Sequence, residues 1–218
     1  MATETKLRQL ADKGCPVYYF YSSERYLVRQ AVAAATRILT ADSDEDATVL
    51  DGAAPEIEQL IMAAGTISFF GTRRVVVLPE IDPAAYSDKD LEELNSTLSS
   101  LENAVVVLGS VFELERSKLK TGKRAQKLIA QCKALGYTEE LAKPKPFELK
   151  MMMIDRAKEQ KTTLPDGAAA ALLERCGEDP FLLEMRWTSS VHCPGIRRSR
   201  QRWWRKWARS VWKQTCSR

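Results

Sequence analysis

Two segments of the chain are continuous apolar runs without in-out alternation: the valines and leucine of RVVVLPE, residues 74–80, and those of NAVVVLG, residues 103–109. A strand with one face in water alternates apolar and polar side chains. Unbroken runs of this length instead mark strands buried on both faces, the position of central parallel strands covered by helices. A parallel sheet needs helical crossovers, so these two runs predict an α/β layered fold. Both fall far short of the roughly 18 to 20 apolar residues that a bilayer crossing requires.

The segments around them fit that expectation. Residues 4–13 read as a helix stopped by Gly14, with Pro16 beyond it. VYYFY, residues 17–21, is β-branched and aromatic and reads as a strand. Ser22 and Ser23 are candidate caps for a helix in which Leu27, Ala31, Ala34, Ala35 and Ile38 recur at helical spacing. ATVLD, residues 47–51, predicts another strand, and Pro55 with Glu56 and Glu58 opens a helix to about residue 64. Asp88 is the expected cap of a helix reaching residue 100. This α/β domain is placed at residues 1–140.

Strands then stop. LAKPKP, residues 141–146, has the proline and lysine content of a linker. Helices follow over residues 147–160 and 165–176, with Gly177 past the second. Asp179 and Pro180 supply the cap and first position of a third. Residues 141–184 therefore read as a small, partial α-helical domain.

Catalytic chemistry is hard to find. The turn after the first strand, Ser22-Ser23-Glu24-Arg25, has no glycine, whereas a phosphate cradle needs unobstructed backbone amides and usually a lysine. Gly122-Lys123 has Ser117 where a P-loop has its first glycine and follows no hydrophobic strand. Residues 118–127 read instead as a solvated basic helix start. The single histidine, His192, lies beyond residue 184, so no Ser/His/Asp or Cys/His arrangement fits the body. Acidic groups such as Glu92-Glu93 sit in polar surroundings. The five cysteines show no CxxC and no short Cys/His cluster, which favours free thiols in a reducing cytoplasm over zinc or disulfides. No catalytic residue, cofactor or metal is expected, and no export signal is visible in the first thirty residues.

One local feature points to a partner. Phe69 and Phe70 are adjacent between Gly65 and Gly71, just before the first valine run. Successive side chains of an extended segment face opposite ways, so both cannot enter one core. An exposed aromatic is a ready anchor for a partner's pocket; packing of Phe70 under the loop and Phe69 over the sheet edge is the alternative.

Charge divides the chain. The formal net charge is +4, but residues 185–218 carry ten Lys or Arg, no Asp or Glu, all five Trp and the histidine. The body is therefore −6 and the tail +10. Trp204, Trp207 and Val211 with their arginines describe a cationic amphipathic helix that would bind nucleic acid or an anionic membrane surface.

VYYFYSSERYLVRQAV, ISFFGTRRVVVLPEID, NAVVVLGS and LLERCGEDPFLLE, in this order, together resemble the delta subunit of the bacterial DNA polymerase III clamp loader over residues 1–184. The resemblance implies an ATPase-like (AAA+/RecA-like) domain without a P-loop, a helical lid domain and then a collar domain. It implies that Phe69 and Phe70, where family members commonly carry Leu-Phe, insert into the beta sliding clamp and help open it on primed DNA during replication. Partners implied are the clamp and the ATP-binding tau/gamma and delta-prime type subunits, with DNA engaged through the complex. Any nucleotidyltransferase activity would belong to the polymerase holoenzyme. After Glu184 the family pattern would continue as Asn-Glu-x-x-Lys-Leu. Restoring one base before ATG AGG TGG ACA AGC, permitted codons for residues 185–189, yields Asn-Glu-Val-Asp-Lys. The tail is accordingly expected to be a slipped reading frame that replaces the collar.

Overall fold

The computed structural model describes residues 4–41, 43, 45–65, 73–116, 118–159, 162–177 and 183. The chain divides into two compact units, residues 1–143 and 144–218. In the first, the order is α1 (Glu4–Asp12), β1 (Val17–Ser22), α2 (Arg25–Leu39), β2 (Thr48–Val49), α3 (Ile57–Gly65), β3 (Arg74–Leu78), α4 (Asp88–Ser99), β4 (Ala104–Val111), β5 (Leu114–Glu115), β6 (Lys118–Leu119), α5 (Lys123–Leu135) and β7 (Tyr137–Glu140). Five strands form one parallel sheet in the order β2-β3-β4-β1-β7, while β5 and β6 make a separate antiparallel hairpin.

The two valine runs lie side by side near the centre. Val75 to Leu78 pair in register with Val105 to Leu108, and β1 follows on the other side of β4, with Val17 opposite Val106. Alternation then sorts every strand into two layers. Val17, Tyr19, Val76, Leu78, Val106 and Leu108 face α3, α4 and α5, which contribute Leu60, Leu94 and Leu128. Tyr18, Phe20, Val75, Val77, Val105 and Val107 face α1 and α2, which contribute Leu7, Leu27 and Val28. Helices on both faces explain why neither run alternates with polar residues. Each fully buried leucine in these layers supplies about 1.5–3 kcal/mol of hydrophobic stabilisation.

Several boundaries differ from the sequence reading for identifiable reasons. Ser22 remains in β1, and Glu24 takes the N-cap of α2 without a side-chain bond, so neither serine caps the helix. Ser87, not Asp88, caps α4: its side chain accepts from the Asp90 N–H at 3.1 Å. Asp88 is the first helical residue, where negative charge suits the dipole, and Arg124 at 2.7 Å holds its carboxyl below the usual range. Lys118 and Leu119 pair with Glu115 and Leu114, so α5 starts only after Gly122. β4 runs two residues beyond the expected end because Ser110, fully buried, is satisfied: Tyr19 donates to its hydroxyl at 2.8 Å and it donates to the Ile81 carbonyl at 2.8 Å.

The second unit contains α6 (Pro146–Glu159) and α7 (Asp166–Cys176). Leu149, Met153 and Ala157 recur every four residues on α6 and share a core with Ala169 and Leu172 of α7, Leu164 and Leu183. Lys150 pairs with Asp166 at 2.7 Å. Gly177 follows α7 with φ +72° and ψ −169°, a backbone region open to glycine because it has no Cβ. The expected cap at Asp179 and the tail from residue 185 lie outside the described residues. Among the described residues, no helix is long and apolar enough to cross a membrane.

Candidate functional site

In an open parallel sheet, ligands bind beyond the carboxyl ends of the strands where the order reverses, here around β1 and its neighbours β4 and β7. At the end of β1 the protein's own groups bond to one another. Ser22 is fully buried, and its hydroxyl donates to the Leu141 carbonyl at 2.5 Å while accepting from the Glu24 N–H at 3.1 Å. The Ser22 carbonyl accepts from Phe112 N–H, and that of Tyr21 from Leu141 N–H, each at 2.8 Å. Leu141, expected in the linker, is buried with the core of the first unit. The β1–α2 turn thus presents neither a glycine backbone nor a lysine to a phosphate.

The adjacent end of β3 carries an ion-pair cluster beside a recess of about 910 Å³ that Arg29, Asp51, Pro79 and Glu80 help to line. Glu80, just past β3, pairs with Arg25 at 2.5 Å and with Arg29 at 3.3 Å, both from α2. Its carboxylate is therefore paired with two guanidinium groups of α2. A Cβ placed on Gly109 would lie 2.3 Å from the Pro79 carbonyl oxygen and 2.8 Å from Val28 Cγ1, so β4, the end of β3 and α2 are in direct contact there. Among the described residues, no group of three His, Cys, Asp or Glu side chains is placed to hold a metal ion. The sequence singled out the glycine-poor turn but not Glu80. Arg25 and Arg29, one helical turn apart at the start of α2, share a face of the helix, the one signal that could have pointed to a common acidic partner.

Phe69 and Phe70 lie outside the described residues. What the structure gives is their frame. α3 ends at Gly65, and the chain enters β3 at the amino edge of the sheet, opposite the crevice. There Arg73 donates to the Gly14 carbonyl at 2.7 Å and Arg74 N–H donates to Asn103 O at 3.0 Å, tying the entry to the turns that precede β1 and β4. Gly14 has φ +72, and a side chain on it would meet the Arg73 guanidinium at 3.1 Å. α3 also exposes Ile61 and Met62.

No protein-family model and no curated protein matches the sequence. Solved structures do match the fold. The Bacillus subtilis DNA clamp loader delta protein superposes with a TM-score of 0.57 at 21% identity, covering 86% of this chain and 56% of that one. A Thermotoga maritima RuvB variant gives 0.53 at 12% identity over 85% and 59%. Domain III of the Thermotoga maritima replication initiation protein DnaA gives 0.53 at 12% identity over 86% and 83%. The chain therefore spans little more than half the length of the Bacillus protein. Its fold is the parallel-sheet α/β fold of the AAA+/RecA-like class.

Proposed function

We propose that this chain is a clamp-loader subunit of the delta kind, which binds and opens the sliding clamp and hydrolyses nothing itself. The observation that carries the reading is a parallel-sheet α/β fold like that of the Bacillus delta structure, whose β1–α2 turn, Ser22-Ser23-Glu24-Arg25, offers a phosphate neither glycine nor lysine. A fold of this class retained without its phosphate cradle serves as a scaffold for interaction. The likeness to the Bacillus delta structure and the order of the sequence segments support the choice of partner.

In this reading Phe69 and Phe70 enter the clamp's hydrophobic pocket. Binding energy there favours the open ring, since a ligand shifts an equilibrium only by its differential affinity for the two states. ATP-binding tau/gamma and delta-prime type subunits supply the cycle, and primed DNA is engaged through the complex in the cytoplasm. Residues 1–140 form the clamp-binding domain and 141–184 a partial lid. Residues 185–218 arise from a slipped frame; sequencing the gene across the codons of Glu184 and Met185 in independent isolates tests this, and an intact shared tail overturns it.

The clamp assignment is tested by titrating the full chain against the beta clamp from the same organism. Loss of a buried aromatic anchor costs about 2 kcal/mol or more, so Phe69→Ala and Phe70→Ala should each weaken binding at least about 30-fold. Undiminished binding by the double variant removes these residues from the interface. Absence of binding by the parent chain removes the function.

A further inference from the structure

Cys15 lies in the turn between α1 and β1, at the amino edge of the sheet. Its N–H donates to the Leu10 carbonyl at 3.1 Å, and its thiol donates to the Val17 carbonyl at 3.4 Å. The residue is partly exposed, whereas Cys132 is fully buried and its thiol is pushed up to about 12 by that burial. Thiol chemistry needs both access and thiolate character. Of these two free cysteines, Cys15 is therefore the one open to reaction.

A second group faces the same corner. Tyr18 is 1% exposed, and its hydroxyl has no hydrogen-bond partner among the described residues. A buried hydroxyl left unmatched is costly, so it marks a place where an acceptor belongs. Burial and then the neighbouring Cys15 sulfur hold this hydroxyl above its ordinary range, with Asp12 acting in the same sense and Arg73 in the opposite one. The Arg73 guanidinium is anchored beside the cysteine by its 2.7 Å bond to the Gly14 carbonyl. Tyr137 packs edge-on against the Tyr18 ring, centroids 6.4 Å apart, and keeps the hydroxyl in place. The far side is tight: a Cβ on Gly136 would lie 3.0 Å from the Cys15 sulfur and 2.2 Å from the Val17 carbonyl oxygen.

We propose that Cys15 is a site of oxidation to the sulfenic acid by a hydroperoxide, with Tyr18 as the donor that holds the product oxygen. The sulfur attacks one peroxide oxygen; an S–O bond forms and the O–O bond breaks. Sulfur gives up two electrons, and the departing hydroxide takes up the thiol proton and, for hydrogen peroxide, leaves as water. The new oxygen accepts from the Tyr18 hydroxyl, which thereby gains the partner it lacks, and the Arg73 cation favours the electron-rich product. One added atom suits the partly covered sulfur, while the Gly136 backbone and the Val17 carbonyl crowd out a bulky thiol such as glutathione. The site uses no residue of the Ser22–Arg25 turn and does not rest on the clamp reading.

The test treats the folded full chain with hydrogen peroxide, stops the reaction with catalase, adds dimedone after increasing delays and reads each cysteine by peptide mass spectrometry. A dimedone adduct on Cys15 that survives the delay is expected, with Cys132 unmodified. Tyr18→Phe keeps the ring and removes only the unmatched hydroxyl, so the fold should hold. In that variant the Cys15 adduct at the longest delay should fall about 10-fold, the effect of losing one hydrogen bond to a charged acceptor, and the sulfinic acid should rise in its place. Arg73→Gln, at an exposed position, should act in the same direction by about threefold. The proposal is overturned by absence of the adduct on Cys15, or by an adduct equally persistent in Tyr18→Phe or, should that variant not fold, in Arg73→Gln. Modification of Cys132 in step with Cys15 overturns it in favour of unfolding. A mixed disulfide of Cys15 with glutathione, formed from glutathione disulfide as readily as the sulfenic acid forms from peroxide, overturns it in favour of a merely exposed thiol.

Discussion

Ser22, at the carboxyl end of β1, and Leu141, just past β7, hold each other through the Ser22 hydroxyl at 2.5 Å, while the Tyr21 carbonyl takes the Leu141 N–H at 2.8 Å. Together these bonds join the end of β1 to the segment just past β7 at the carboxyl edge of the sheet. Ser22→Ala leaves a buried carbonyl with one partner fewer and should destabilise the first unit by about 1–3 kcal/mol. Denaturant unfolding monitored by far-UV circular dichroism measures it; no loss of stability would mean that the bond contributes nothing to holding β1 to the segment past β7.

Gly109 makes a sharper case. A methyl group there meets a carbonyl oxygen at 2.3 Å, and the Pro79 backbone cannot rotate away as a side-chain tip would. Gly109→Ala should therefore cost about 3 kcal/mol or more, or prevent folding. Gly167, within α7, has nothing within 4 Å of such a methyl. Gly167→Ala should stabilise its unit by up to about 1 kcal/mol through helix propensity. Thermal melts of the two variants should move in opposite directions.

How much of this was legible depended on whether a residue's neighbours were close in sequence. The valine runs announced β3 and β4 because burial on both faces leaves its mark residue by residue. β7 gave a weaker signal: Tyr137-Thr138-Glu139-Glu140 is half-buried and carries two carboxylates, as an edge strand can. The β5–β6 hairpin turns at Arg116 with φ +49 and lacks the glycine that would have marked it. The strand-end cluster was readable only in part. The missing glycines led the sequence reading to expect no phosphate cradle at Ser22–Arg25, but Glu80 is 51 residues from Arg29, and no local pattern joins them.

The Glu80 cluster should add little to stability despite its central place. Arg25 and Arg29 have side chains 64% exposed, so solvent screens the pairing. Glu80→Gln should cost less than about 1 kcal/mol at low salt, and the difference should shrink at high salt as the Debye length falls. A large, salt-independent loss would show that the cluster is structural in a way its exposure does not explain.

Alkaline pH should unfold the first unit before its tyrosines titrate as free phenols. Of the six tyrosines in the chain, Tyr18, Tyr19, Tyr21, Tyr86 and Tyr137 have hydroxyls raised above their ordinary range, in each case mainly because burial disfavours the phenolate. Tyr86 is pushed up to about 12. Below pH 10 the folded and unfolded chains both keep these protons and stability is unaffected. Above it the unfolded chain releases them while the folded one does not, so the unfolded state binds fewer protons and stability falls with rising pH. The loss begins near pH 10 and continues through about 12 for Tyr86, and further for Tyr18, Tyr19 and Tyr137. Absorbance at 295 nm should therefore lag a free-tyrosine curve and then rise in one step together with the loss of circular dichroism. Smooth titration of five phenols near pH 10 with the circular dichroism intact would contradict the burial assigned to β1 and to Tyr86.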